Sequence, residues 1–234
     1  MYKKIVFIGL LSGLFLASCG GEEKDESKEK ESTMKETKKD EAPEMECTYT
    51  FVDAKTEVNW VGFKHSTRVA VRGLFRDVQY KGEHTASDIQ SLIGGIEGFV
   101  VTSSVWSNDT TRDRKLRDNF FSVLTASDTV SARVRSFMPK FDDEGNASGE
   151  CMLALNFNGR ENLIGATYTV KNQEELMIEA SLSLNQWKAE EALASIHEVC
   201  SEKHTLADDG EAITHEDVKI ELKTRIEKNC VPVK

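Results

Sequence analysis

The chain has 234 residues and a formal net charge of −10, with 40 acidic against 30 basic side chains and 39% hydrophobic residues. That length is enough for a domain with a sizeable core. The acidic balance, with no concentrated basic face, speaks against a nucleic-acid partner.

At the N-terminus Lys3 and Lys4 precede an apolar run over residues 5–16, broken only by small residues such as Gly9, Ser12 and Gly13. The run is too short to cross a bilayer as a permanent helix and reads as the hydrophobic region of a signal peptide. It leads into Leu16-Ala17-Ser18-Cys19, followed by Gly20 and Gly21, and those four residues resemble a bacterial lipobox. The chemistry needs a thiol there to accept diacylglycerol, and small neighbours so that the peptidase reaches the backbone. Residues 1–18 are therefore expected to be removed, leaving Cys19 as a lipidated N-terminus. Its acyl chains would hold the protein on a membrane of the bacterial envelope, with the outer membrane as the expected site. Residues 19–46 are read as this lipidated cysteine plus a tether. The tether is almost wholly Glu, Lys, Asp, Ser and Thr, too polar to offset the entropy of ordering. Its reach is on the order of 30 Å. Glu22 and Glu23, close behind the cysteine, also allow a sorting signal.

The folded domain is expected over residues 47–234. Strands are predicted over 49–52 and 58–64, then where Val69, Val71, Gly73 and Phe75 alternate with other residues, then over 96–105. A helix over 108–124 follows, with Asn108 and Asp109 as cap candidates. Its cluster Arg112, Arg114, Lys115 and Arg117 reads as a solvated face, with an anionic-ligand site as the alternative. Further strands are marked by Val130, Ala132 and Val134, by Cys151, Leu153, Leu155 and Phe157, and over 163–170 and 176–184. A second helix is predicted over 185–204 with Asn185 as its cap. The clearest signal comes last: Val218, Ile220, Leu222, Thr224 and Ile226 alternate with Lys219, Glu221, Lys223 and Arg225, the period of a half-buried strand. Turn-forming stretches at 142–146 and 158–160 separate the strands, and the short links favour antiparallel pairing. About eight strands with two short helices describe a mainly β fold, a closed or nearly closed antiparallel barrel. Such a barrel is either filled by side chains or holds one elongated ligand.

Four cysteines, Cys47, Cys151, Cys200 and Cys230, remain after Cys19 and allow two bridges in three connectivities. Cys47 and Cys230 lie near the two ends of the domain, and Cys151 sits in an apolar strand pattern that suits a buried thiol.

Several motifs in order resemble the YceI-like family. These are Val58-Asn59-Trp60-Val61-Gly62-Phe63-Lys64 followed by the V-x-G-x-F strand from Val71 to Phe75, then Arg114 to Phe121 ending in a Phe-Phe pair. Leu153-Ala154-Leu155-Asn156-Phe157-Asn158-Gly159 and Leu182-Ser183-Leu184-Asn185-Gln186-Trp187 complete the series. The resemblance implies an extended lipocalin-like antiparallel barrel whose apolar cavity binds a polyisoprenoid or similar long-chain lipid, with no catalytic centre. Trp60, Phe75, Phe120, Phe121, Ala132, Val134 and Phe157 are the expected apolar lining. The late insertion over 207–215 and the four cysteines depart from simpler members.

An enzyme is not expected. There is no G-x-S-x-G elbow, P-loop or G-x-G-x-x-G, and His197-Glu198 and His215-Glu216 each lack the second His of a zincin. No cofactor is implied beyond a bound lipid. The strongest metal candidate is His197, Cys200 and His204, spaced to share a helix face, against an amphipathic helix with a buried thiol. His65 reads as a solvated loop histidine, or as a headgroup donor at a cavity mouth. Two functions follow: a membrane-anchored binder of a long-chain amphiphile, or a tethered structural or interaction lipoprotein with a filled barrel.

Overall fold

The computed structural model describes residues 44–124, 126–206 and 210–233. The predicted signal peptide, Cys19 and the tether up to residue 43 lie outside the described residues, as do residues 207–209 of the predicted late insertion.

The described strands are β1 (Met45–Lys64), β2 (Val69–Phe75), β3 (Val78–Lys81), β4 (Thr85–Ala86), β5 (Glu97–Val101), β6 (Val105–Trp106), β7 (Thr129–Arg135), β8 (Ala147–Phe157), β9 (Arg160–Lys171), β10 (Glu175–Ser183) and β11 (Thr214–Pro232). They form one antiparallel sheet in the order β3-β5-β7-β8-β9-β10-β11-β1-β2-β6, with β4 beside β1. The strands at the two ends of that order are continuous with each other's neighbours: β2 runs into β3, and β5 runs into β6. Backbone bonds from Arg76 N to Ser104 O (3.2 Å) and from Val101 N to Asp77 O (3.1 Å) close the junction. The sheet therefore curls into a barrel.

Alternation explains the register. On β11 Thr224 and Ile226 are buried while Lys223 and Arg225 are exposed. The buried Thr224 hydroxyl is satisfied by Thr56 at 2.7 Å. The two strands predicted over 49–52 and 58–64 are one strand, β1, whose pairing with β11 shifts register between Val52 and Glu57. Such an irregularity leaves unmatched residues in one strand while alternation resumes on either side.

Among the described residues there are three α-helices where two were expected: α1 (Ile89–Gly95), α2 (Thr110–Asn119) and α3 (Glu190–His204). The unpredicted α1 is too short to show a periodic pattern, but Asp88 caps it by accepting from Ser91 N at 2.7 Å. It buries Ile89, Leu92 and Ile93. The strand expected over 96–105 is divided into β5 and β6 by a tight turn at Thr102–Ser104. Asp109 caps α2, accepting from Thr111 N and Arg112 N at 3.0 Å each. The helix expected over 185–204 begins only at Glu190, after a turn at Leu184–Trp187 and a left-handed Lys188 (φ 53°). Asn185 is not its cap; it donates to Glu216 at 2.7 Å. The delay arises because Trp187 turns into the core, 0% exposed, with its indole N–H donating to Leu155 O at 3.2 Å.

Of the open cysteine pairings the structure contains Cys47–Cys230, which joins paired positions of β1 and β11 across 183 residues of sequence. Cys151 is buried and free, and Cys200 is half-buried and free.

Candidate functional site

The barrel holds a partly open apolar cavity of about 510 Å3. Small-molecule sites run from roughly 300 to 1,000 Å3, and interiors packed at crystal-like density leave few voids larger than a water molecule. The filled-barrel alternative therefore does not describe this interior.

All seven residues expected on the lining, Trp60, Phe75, Phe120, Phe121, Ala132, Val134 and Phe157, stand on the cavity wall. Trp60 shows why the V-x-G-x-F strand carries glycine. Gly73 lies opposite Trp60 in the β1–β2 pairing. A Cβ at Gly73 would collide with the indole and stand 2.6 Å from the Trp106 carbonyl oxygen. Only hydrogen in that position lets the ring lie across β2. The indole N–H of Trp60 is itself buried with no partner among the described residues. The Phe-Phe pair at the end of α2 works in two directions. Phe121 meets Phe75 edge-on at 5.9 Å, while Phe120 stacks on Phe157 at 6.5 Å, and Phe157 meets Trp187 at 6.4 Å. An unbroken aromatic series thus ties the cavity wall to the deepest part of the core.

The expected lining was incomplete. Ile93 on α1, Ile96 just beyond it, Ile178 and Leu182 on β10, and Ile220 and Leu222 on β11 also face the cavity. The period of two in β10 and β11 held the signal for the last four; no local pattern marked the first two. Tyr80 stands on the wall with its ring 4.7 Å from Phe51. Burial pushes its hydroxyl up to about 12, so it stays protonated.

One part of the wall is polar. Lys64, Arg112, Lys115, Lys203, His204 and Thr214 converge there from β1, α2, α3 and β11. Lys64 Nζ donates to Lys203 O at 2.9 Å, and Lys115 Nζ donates to Val199 O. Lys64 thereby satisfies a carbonyl in the last turn of α3, where cations are favoured, and Lys115 bonds one a turn earlier. Arg112 and Lys115 are thus not part of a wholly solvated helix face, although Arg114 is exposed.

His65 is not a solvated loop histidine. It is 7% exposed, in the left-handed region at φ 60°, and its Nδ1 is bonded to His204 O at 2.9 Å. Its carbonyl oxygen accepts from His215 Nε2 at 2.7 Å. Neither a solvated histidine nor a headgroup donor, it pins the β1–β2 turn to α3 and β11.

His197, Cys200 and His204 do share a side of α3, but both imidazole Nδ1 atoms are bonded to Thr214 Oγ1, at 3.1 and 2.6 Å. One hydroxyl proton serves two rings, so one ring accepts and the other donates. Among the described residues no three His, Cys, Asp or Glu side chains stand close enough together to hold an ion. Burial, with the nearby Lys64, His65, His197 and Lys115 adding to it, pushes the His204 imidazole down to about 4.

No family model matches the chain, and no curated protein matches its sequence. Solved structures match its fold. A polyisoprenoid binding domain from Saccharophagus degradans, implicated in plant cell wall breakdown, superposes with a TM-score of 0.58 at 12% identity, covering 77% of this chain and 98% of that one. BcnA of Burkholderia cenocepacia superposes with a TM-score of 0.51 at 12% identity, covering 76% of this chain and 99% of BcnA. The fold is YceI-like. A Campylobacter jejuni YCEI protein gives a TM-score of 0.44 at 16% identity, with coverage of 73% and 90%. At such identities the likeness is one of architecture.

Proposed function

We propose that the protein is a membrane-tethered carrier that holds a polyisoprenoid-like or other long-chain amphiphile in its barrel and does no chemistry on it. The observation that carries this reading is the 510 Å3 cavity lined by aromatic and aliphatic side chains. Filling it removes apolar ligand surface from water at roughly 25 cal/mol per Å2, with few directional contacts, so affinity should climb with chain length. A fold neighbour described as a polyisoprenoid binding domain supports the ligand class. The lipobox at Leu16-Ala17-Ser18-Cys19 supports attachment to the bacterial envelope through lipid on Cys19, with the polar tether holding the barrel off the surface.

Mass spectrometry of organic extracts from natively purified protein tests the carrier reading, together with titration of alkyl and prenyl probes of increasing length. Stoichiometric lipid and length-dependent affinity are expected. An empty protein that takes up no long-chain probe overturns the reading. Cys19→Ala tests the anchor: the variant should leave the membrane fraction or keep its signal peptide, and normal processing with membrane retention would show the lipobox assignment wrong.

A further inference from the structure

We propose that the basic rim of the cavity is a headgroup site for a single anionic group, a carboxylate or a phosphate monoester, at the end of the bound chain. The proposal rests on the carrier reading and adds the charge of the ligand to it.

The placement of the cations supports it. Lys64 ends β1, Arg112 and Lys115 lie one turn apart on α2, and Lys203 lies in the last turn of α3, yet all four border the same cavity. Lys64 and Lys115 each spend one proton on a carbonyl of α3, which orients them and leaves further N–H donors free. The carboxylate among them is Asp109, already committed to the α2 cap and to Arg112 at 3.4 Å. The other carboxylate on the wall, Glu221, is bonded to Asn59 and Lys223. Positive charge is therefore in excess where the cavity wall turns polar. Folding alone asks for less: the end of one helix is served by one or two cations, and among the described residues the Lys203 ammonium bonds no backbone group. A neutral chain in this cavity would leave the cations repelling one another. An anionic head would relieve them in a partly desolvated setting, where charge-assisted hydrogen bonds are strongest.

Binding of three chain-matched ligands to the full-length protein tests the site: geranylgeraniol, its monophosphate and geranylgeranoic acid. Both acids are expected to bind about tenfold or more tightly than the alcohol at low salt, with the gap shrinking as NaCl is raised. The better of the two acids identifies which anion fits. In Lys203→Gln and in Arg112→Gln/Lys203→Gln the ratio of acid to alcohol affinity should fall towards one, each ratio being read within one variant that circular dichroism shows to be folded. Equal affinity for alcohol and acids in the wild-type protein overturns the headgroup site and leaves the carrier reading standing. Failure of all three ligands to bind overturns the carrier reading and this proposal together. If neither variant folds, the salt dependence of the wild-type ratio decides, and a ratio insensitive to salt counts against the site.

Discussion

The inward residues Cys151, Ala166, Val170 and Ala180 of β8, β9 and β10 are buried in the core away from the cavity, whereas Val58, Trp60, Val71 and Phe75 on β1 and β2 line the cavity and are only half-buried. Both walls are apolar, so hydrophobicity does not distinguish them. The first wall is backed by the core around Trp187, Ala189 and Ala192; the second faces open space. Stability is concentrated where side chains meet side chains, and capacity for a ligand where they meet a void. A substitution on the packed wall should chiefly change folding, and one on the open wall chiefly change uptake.

The largest effect is expected at Trp187. Trp187→Ala should cost about 3–5 kcal/mol in urea unfolding, by cavity formation and by leaving the Leu155 carbonyl without its donor. A cost below about 1 kcal/mol would mean that the packed wall is not the seat of stability. Next comes the staple: Cys47→Ser/Cys230→Ser should lower stability by about 2–4 kcal/mol, because the closed loop spans most of the domain. Length-dependent probe uptake should survive at temperatures where the variant stays folded.

Ala132→Trp should act on the cavity side. Ala132 borders the cavity, so the indole should occupy ligand space and abolish uptake of a fluorescent long-chain lipid, at a cost of no more than about 1–3 kcal/mol. Undiminished uptake in a folded variant would place the ligand elsewhere.

A smaller effect should come from pH. Burial first, then Lys64 and His65 at the end of β1, His197 on α3 and Lys115 on α2, hold the imidazole of His204, which is bonded to the Thr214 hydroxyl on β11, neutral in the folded protein down to about 4. The unfolded chain takes up that proton near pH 6.5, its ordinary value. Stability is therefore full above about 6.5 and declines as pH falls towards 4, since proton uptake favours the unfolded state. Urea midpoints for wild type and His204→Gln should converge as pH falls through this window; parallel curves would remove His204 as the cause. The smallest change belongs to the outer face: Lys223→Leu, losing an exposed pair with Glu221, should shift stability by about 0.5 kcal/mol or less.

What the sequence determined by itself were properties written in neighbouring residues. Alternation from Val218 to Ile226 marked the last strand and its inward face, Asp109 marked the start of α2, and the order of Trp60, Gly73, Phe120-Phe121 and Phe157 pointed to a barrel with an aromatic wall. Tertiary structure alone decided what depends on distance through space. It pairs Cys47 with Cys230, folds α1 from a stretch too short to show a period, and holds back the start of α3 to bury Trp187. It also turns His65 from an apparent loop residue into a buried tie, and gathers Lys64, Arg112, Lys115 and Lys203 from three elements onto one rim. The physical reason is that a strand's period records which way a side chain points, while a cavity and its charge depend on whether the curled sheet brings opposite walls together or leaves space between them.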